Sequence, residues 1–196
     1  MNTNEVKLFK IADAQQGYFT TKQAVACGYV TPNHLYHVDT GAWVREHRGI
    51  YRMARFPVSP EGQYVLWSLW SRNRREIPQG VFSHQTALSI HELADVMPSK
   101  LHLTVPPGFR RNSALPKIIL LHWADLLTAD IEQHQGYRVV RPLRTIADLL
   151  RDGAESRDRL RQALRQAMVR GLVTRIEIQS HPDRKTLETL LKGGRK

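Results

Sequence analysis

Cysteine is nearly missing from this chain: Cys27 stands alone among 196 residues. One thiol builds neither an intrachain disulfide framework nor a multi-cysteine zinc site, and the scarcity suits a reducing, cytoplasmic setting. Long apolar runs are missing as well. Stretches such as Ile118 to Leu121 fall far short of the roughly 20 residues that span a bilayer. The opening MNTNEVKLFK has no apolar h-region, so no signal peptide is expected. The glycines are scattered rather than gathered into a phosphate-binding loop. Hydrophobic residues still make up 41%, enough for a packed core in one large domain or two small ones.

Acidic side chains are the other shortage. Lysine and arginine number 29 against 18 aspartates and glutamates, giving a net charge of +11. That balance points to a polyanionic partner, nucleic acid before an anionic membrane. The excess is uneven. Residues 1–57 carry seven basic and four acidic groups, residues 58–130 seven and six, and residues 131–196 fifteen and eight.

Apolar spacing at Val6, Leu8, Phe9, Ile11 and Ala12 predicts a helix over residues 4–15. Tyr18-Phe19 reads as a short extended piece. Thr20, with Gln23 three residues on, forms a capping-box pattern for a second helix that ends at Gly28. Thr31-Pro32 opens a third helix over 32–40. Two short strands, 43–46 and 49–53, flank His47-Arg48-Gly49. The order of helix, helix, helix and hairpin, with a four-residue link from second to third helix, is that of a winged helix-turn-helix. Pro57 and Ser59-Pro60 mark a linker.

Beyond it, helices are expected at 61–74, 85–93, from Pro142, at 157–169 and at 183–192, with strands at 101–105, 118–122 and 136–140. The 118–122 strand is expected to be buried. The fold class is therefore α+β. A winged helix over 1–57 precedes a mixed α/β domain with a small sheet over 60–180, and 181–196 forms a basic tail whose final GGRK should fray.

A winged helix lays its third helix in the major groove and its wing against a neighbouring phosphate or the minor groove. On the third helix, Asn33, His34 and His37 offer hydrogen-bonding groups to base edges, Tyr36 a hydroxyl to phosphate, and Thr31 a polar start. Leu35 and Val38 are assigned to the core. Arg45, His47, Arg48, Tyr51 and Arg52 furnish the wing. Thr20, Thr21 and Lys22 open the second helix, whose free N–H groups suit a phosphate. Arg110 and Arg111, in the loop after the 101–105 strand, and Arg138, Arg141 and Arg144, near the third strand, are possible additional basic contacts.

GYFTTKQAVACGYVTPNHLYHVDTGAWVREHRGIYRMARFP, residues 17–57, resembles the N-terminal winged-helix domain of the AbiEi abortive-infection antitoxin family. FSHQTALSIHEL, LHLTVPPGFRR and YRVVRPLRTIADLL resemble that family's C-terminal domain. The resemblance implies a repressor that binds promoter repeats of its own operon. It also implies a cognate toxin of nucleotidyltransferase type, encoded nearby; a two-fold operator would suggest paired copies on DNA.

Catalytic chemistry finds little support. Vsr-like nucleases, which follow a similar second-half pattern, hold magnesium with a Glu-x-Lys pair. Residues 58–196 contain none, and Glu177-Ile178-Gln179 lacks the lysine. Cys27 suits a small packed residue better than a nucleophile, and Ser83-His84 a helix cap better than half of a triad. His34 and His37 share a helix face without an acidic neighbour. His84 with His91, and His102 with His122, lack tight ligand spacing, so no metal or cofactor is expected. The alternatives are a non-catalytic protein-interaction module, or a Vsr-like nuclease-associated protein without its nuclease domain.

Overall fold

The computed structural model describes residues 3–94, 98–112 and 114–193. They form an α+β fold with two compact units. The first comprises residues 1–80 with 133–138, and the second 81–132 with 139–196. Among the described residues no helix is long and apolar enough to cross a membrane.

The first unit begins with α1 (Thr3–Asp13), which buries Leu8 and Ala12, one turn apart. Strand β1 (Tyr18–Thr20) leads directly into α2 (Thr21–Ala26). The Thr20 hydroxyl accepts from the Gln23 N–H at 3.2 Å, and the Gln23 side chain accepts from the Thr20 N–H at 2.8 Å. This is the capping box expected from the sequence. A single 3₁₀ turn, Thr31–Asn33, then precedes α3 (His34–Asp39). Strands β2 (Trp43–His47) and β3 (Ile50–Met53) form the hairpin. Gly49 at its turn has φ +72°, a left-handed conformation that glycine adopts without a Cβ penalty. The sheet order is β1-β3-β2, antiparallel throughout, which is the topology of a winged helix-turn-helix. Leu8, Ala12, Phe19, Ala24, Cys27, Trp43, Tyr51 and Met53 make its core. The Cys27 thiol is buried, and burial raises its pKa, as befits a packing residue.

Helix α4 (Gly62–Trp70) belongs to the same unit. After it the chain folds back on the Ser71 hydroxyl, which is fully buried. That oxygen donates to the Ser68 carbonyl at 2.7 Å and accepts from the N–H groups of Gln79 and Gly80 at 3.1 and 2.8 Å.

The second unit is built on a five-stranded sheet in the order β6-β5-β4-β8-β7. Its strands are β4 (Val81–Phe82), β5 (Leu101–Val105), β6 (Ile119–Trp123), β7 (Ile131–His134) and β8 (Tyr137–Val140). The tip of the β7–β8 hairpin, 133–138, falls in the first unit. Helix α5 (His84–Ile90) follows β4, and α6 (Pro142–Asp152) follows β8. Helices α7 (Arg157–Val169), α8 (Arg175–Ser180) and α9 (Arg184–Lys192) complete the chain. The helices share an apolar core that includes Leu88, Ile146, Leu149, Leu160, Leu164, Ile178, Leu187 and Leu190.

Several sequence expectations change here. Strand β6 lies at a sheet edge, so of the 118–122 segment Ile118 and Leu120 are exposed while Ile119 is buried. Strand β4 is too short to show a period, and β7 is too polar. Ser83 occupies the N-cap position of α5, but its side chain makes no cap hydrogen bond. The expected fraying of the C-terminal residues bears on 194–196, which lie outside the described residues.

Replacing Ser71 by alanine strands the buried Gly80 N–H and removes one of two acceptors of the half-buried Gln79 N–H. The expected loss is about 1–3 kcal/mol, seen as a lower urea midpoint with an unchanged m-value.

Candidate nucleic-acid interface

The third helix turns differently from the sequence assignment. His34 is buried at 2% exposure while Leu35 stands 59% exposed. The imidazole of His34 packs against Trp43 and Tyr51, with ring centroids 5.3 and 5.8 Å away, and its Nε2 lies 3.4 Å from the Tyr29 carbonyl. His34 and Val38, one turn apart in α3, share the face that packs on the core. Leu35, about 100° round the helix from His34, is left outside. Val38 packs against the core as expected. Thr31, Asn33 and Tyr36 are exposed, and His37 is half-buried, stacked on Trp43 at 4.5 Å. Burial, with His34 second, lowers the His37 pKa, so this ring is a neutral hydrogen-bonding group near pH 7 rather than a cation.

On the hairpin the arginines divide. Arg45 and Arg48 are exposed, and His47 is half-buried against Trp67. A bulge between Arg45 and His47 shifts the register, the kind of irregularity that re-aims side chains. Arg52 is buried at 7% exposure. Its Nε donates to Glu46 at 2.7 Å and its Nη1 to the Phe56 carbonyl at 2.8 Å. Tyr51 is also buried, within the aromatic core beside Phe19 and Trp43. Thr20 is fully buried, its hydroxyl occupied by the capping box and by donation to Glu76 at 2.6 Å. His34, Arg52, Tyr51 and Thr20 are therefore structural residues here, not surface contacts.

Thr21 and Lys22 stay accessible at the start of α2. Lys22 Nζ donates to the Arg74 carbonyl at 3.0 Å and lies 3.5 Å from Glu76. This brings in the exposed Arg74 and Arg75, which the sequence assignment left with the helix before them. The Thr21 N–H donates to the Gly49 carbonyl at 3.1 Å, and Arg72 reaches the same oxygen at 3.4 Å. The wing turn, the start of α2 and the 71–76 segment thus form one basic edge.

Arg110 and Arg111 are exposed. Arg138 belongs to the hairpin tip of the first unit and donates to the Pro78 carbonyl at 2.6 Å. In the second unit Arg141 is exposed, while Arg144 pairs with Asp148 at 2.9 Å and Asp130 at 3.0 Å.

One cluster joins histidines that the sequence analysis set aside for want of tight ligand spacing. His84, His102 and His122 each place a ring nitrogen within 4.8 Å of the others. Burial, followed by the neighbouring histidines, lowers the His102 pKa to about 4, and burial with His84 does the same for His122. The hydrogen bonds beside them run from Ser83 through His84 to Asp152. That order suits a serine nucleophile in principle. Ser83, however, is 1% exposed and its oxygen also accepts from Thr104 at 2.8 Å, leaving no face open to a substrate.

Comparison with known proteins bears on the winged-helix segment. Residues 6–54 match the family model described as "Transcriptional regulator, AbiEi antitoxin". The match runs from α1 to the end of the wing and stops before α4. Among solved structures, the crystal structure of the RV2827C protein from Mycobacterium tuberculosis is similar with a TM-score of 0.57 at 15% identity. The alignment covers 98% of this chain and 72% of that one, a likeness of fold. No curated protein matches the chain.

Arg52→Ala should cost the protein about 2 kcal/mol, the scale of a lost charge-assisted pair of hydrogen bonds. Arg48→Ala should change stability by less than about 0.5 kcal/mol. Thermal or urea denaturation of the two variants checks the division.

Proposed function

We propose that this protein is a sequence-specific DNA-binding transcriptional repressor with an antitoxin role, regulating its own operon and opposing a nucleotidyltransferase-type toxin. The observation that carries this reading is the exposed basic edge on the segment that matches AbiEi antitoxin regulators. Arg45 and Arg48 stand on its wing, and Lys22 opens α2, beside Arg74 and Arg75. Such an edge supplies the cation–phosphate contacts that position a protein on a duplex. Thr31, Asn33 and Tyr36, with the neutral His37, are the groups of α3 left to meet base edges and phosphates. Thr21 presents its end of α2 to a phosphate. Since α3 carries neither lysine nor arginine, affinity rests on the wing and α2, and base readout on short polar side chains. Two copies would bind a repeated operator, and the α/β portion would carry the antitoxin role.

A second reading, a protein-interaction module, draws on Val169 and Ile176. They stand 88% and 77% exposed beside a groove of about 500 Å³ lined by Met168, Ile178 and Leu191. Exposed apolar residues around a groove suit a partner protein. Recovery of a partner by a protein that shifts no promoter DNA would favour it.

Fluorescence anisotropy with DNA from upstream of the protein's own gene tests the first reading. Binding should exceed that to random duplex and weaken steeply with salt, as contact with about five phosphates requires. Arg48→Ala should lower affinity for all sequences and reduce the salt slope by about one. Equal slopes for wild type and variant would remove the wing from the interface. Equal affinity for upstream and random DNA would remove sequence specificity.

A further inference from the structure

The second unit holds an arrangement of side chains that DNA binding does not use. His84 opens α5 immediately after β4. His102 lies on β5 and His122 on β6, where the parallel register sets His102 opposite Leu120 and Thr104 opposite His122. Two residues along a strand return to the same face, so both imidazoles emerge on one side of the sheet. The Nδ1 of His102 lies 3.0 Å from the Nε2 of His122. The rings of His84 and His122 stack at 3.6 Å with an 11° interplanar angle, and those of His102 and His122 stack at 5.2 Å.

Other buried histidines of this chain show how an ordinary structural imidazole is satisfied. His91 places Nε2 2.9 Å from the Val140 carbonyl, and His34 meets the Tyr29 carbonyl. His102 and His122 turn nitrogens toward each other instead, and His84 lies stacked on His122 with a ring nitrogen within 4.8 Å of theirs. We propose that His84, His102 and His122 form a binding site for one divalent transition-metal ion of the zinc class.

The geometry suits such an ion. Zinc–nitrogen bonds of about 2.0–2.1 Å in a tetrahedron separate ligand nitrogens by about 3.3 Å, close to the spacing already present between His102 and His122. Neutral imidazoles of this kind bind zinc, copper, nickel and cobalt. His102 and His122 can each keep a proton on the nitrogen turned away from the ion, whereas His84 would exchange its Ser83 contact for the ion while Nε2 keeps its proton toward Asp152. Three protein ligands leave a fourth position for water or an anion, and His102 and His122 are only partly buried.

The surroundings are those that hold metal-binding histidines in place. Asp152 accepts from His84 Nε2 at 3.0 Å, and Ser83, itself held by Thr104, lies 2.9 Å from His84 Nδ1. Thr86 accepts from the His102 N–H at 2.9 Å. His84 also sits at φ +51°, a region that side-chain-bearing residues seldom adopt and that clusters at functional sites. A bound ion would clip the start of α5 to β5 and β6.

The experiment uses untagged, chelator-stripped full chain. Zn²⁺ is titrated in competition with a chromophoric chelator, and Co²⁺ is added separately as a visible-absorption probe. One Zn²⁺ per chain and tetrahedral Co²⁺ bands are expected. His102→Ala and His122→Ala should each weaken binding by at least about 100-fold, beyond the roughly 10- to 100-fold typical of a lost supporting partner, which is the range for Asp152→Asn. His181→Ala, away from the cluster, should bind as wild type does. Absence of stoichiometric Zn²⁺ uptake, or uptake that persists unchanged in His122→Ala, would overturn the site. If the alanine variants fail to fold, the wild-type Co²⁺ spectrum decides: tetrahedral bands support the site, and their absence overturns it.

Discussion

The Glu76 carboxylate holds together the end of the first unit where the wing turn and α2 meet. It accepts a 2.6 Å hydrogen bond from Thr20, pairs with Arg72 at 3.0 Å and lies 3.5 Å from Lys22. Like charges a few ångströms apart repel appreciably near a protein surface. One anion among Lys22, Arg72, Arg74 and Arg75 lets these cations crowd together without unwinding the segment that carries them. The same oxygens steady the Thr20 hydroxyl that caps α2. Glu76 itself sits at φ +63°, a strained conformation held by these partners.

Behind this polar edge the winged helix is aromatic. Phe19, Tyr29, Trp43 and Tyr51 meet edge-on, tilted or stacked at 4.8–5.9 Å, the separations at which ring quadrupoles attract. His34 and His37 join that group rather than standing clear of it. The result separates two tasks that sequence alone leaves mixed. Aromatic and imidazole rings fix where α3 lies, and the residues flanking them are left to face outward.

Local signals proved legible. The Thr20–Gln23 box, the 157–169 helix and the hairpin around Gly49 each depend on residues a few positions apart, and a sequence displays such patterns directly. The facing of α3 was not legible, because a polar imidazole, His34, takes the core position and its apolar neighbour Leu35 is left outside. Arg52 looked like its neighbours Arg45 and Arg48. Only the fold shows that Glu46 and the Phe56 carbonyl claim it. The histidine cluster was hidden more deeply. His84, His102 and His122 are far apart in sequence, and it is strand register, not spacing, that makes them neighbours. Alternation of His102 with Thr104 on a strand was the nearest available hint.

The six residues 133–138 belong with residues 1–80 although 52 residues of the second unit separate them in the chain. Within the first unit Tyr137 stacks on His134 and meets Tyr64 at 5.3 Å, and Gln135 donates to the Asp13 carbonyl at 2.7 Å. Chains emerge from the ribosome N-terminus first. The earliest-made part of this protein must therefore wait, one side unfinished, until Tyr137 has been translated and the returning hairpin can close it.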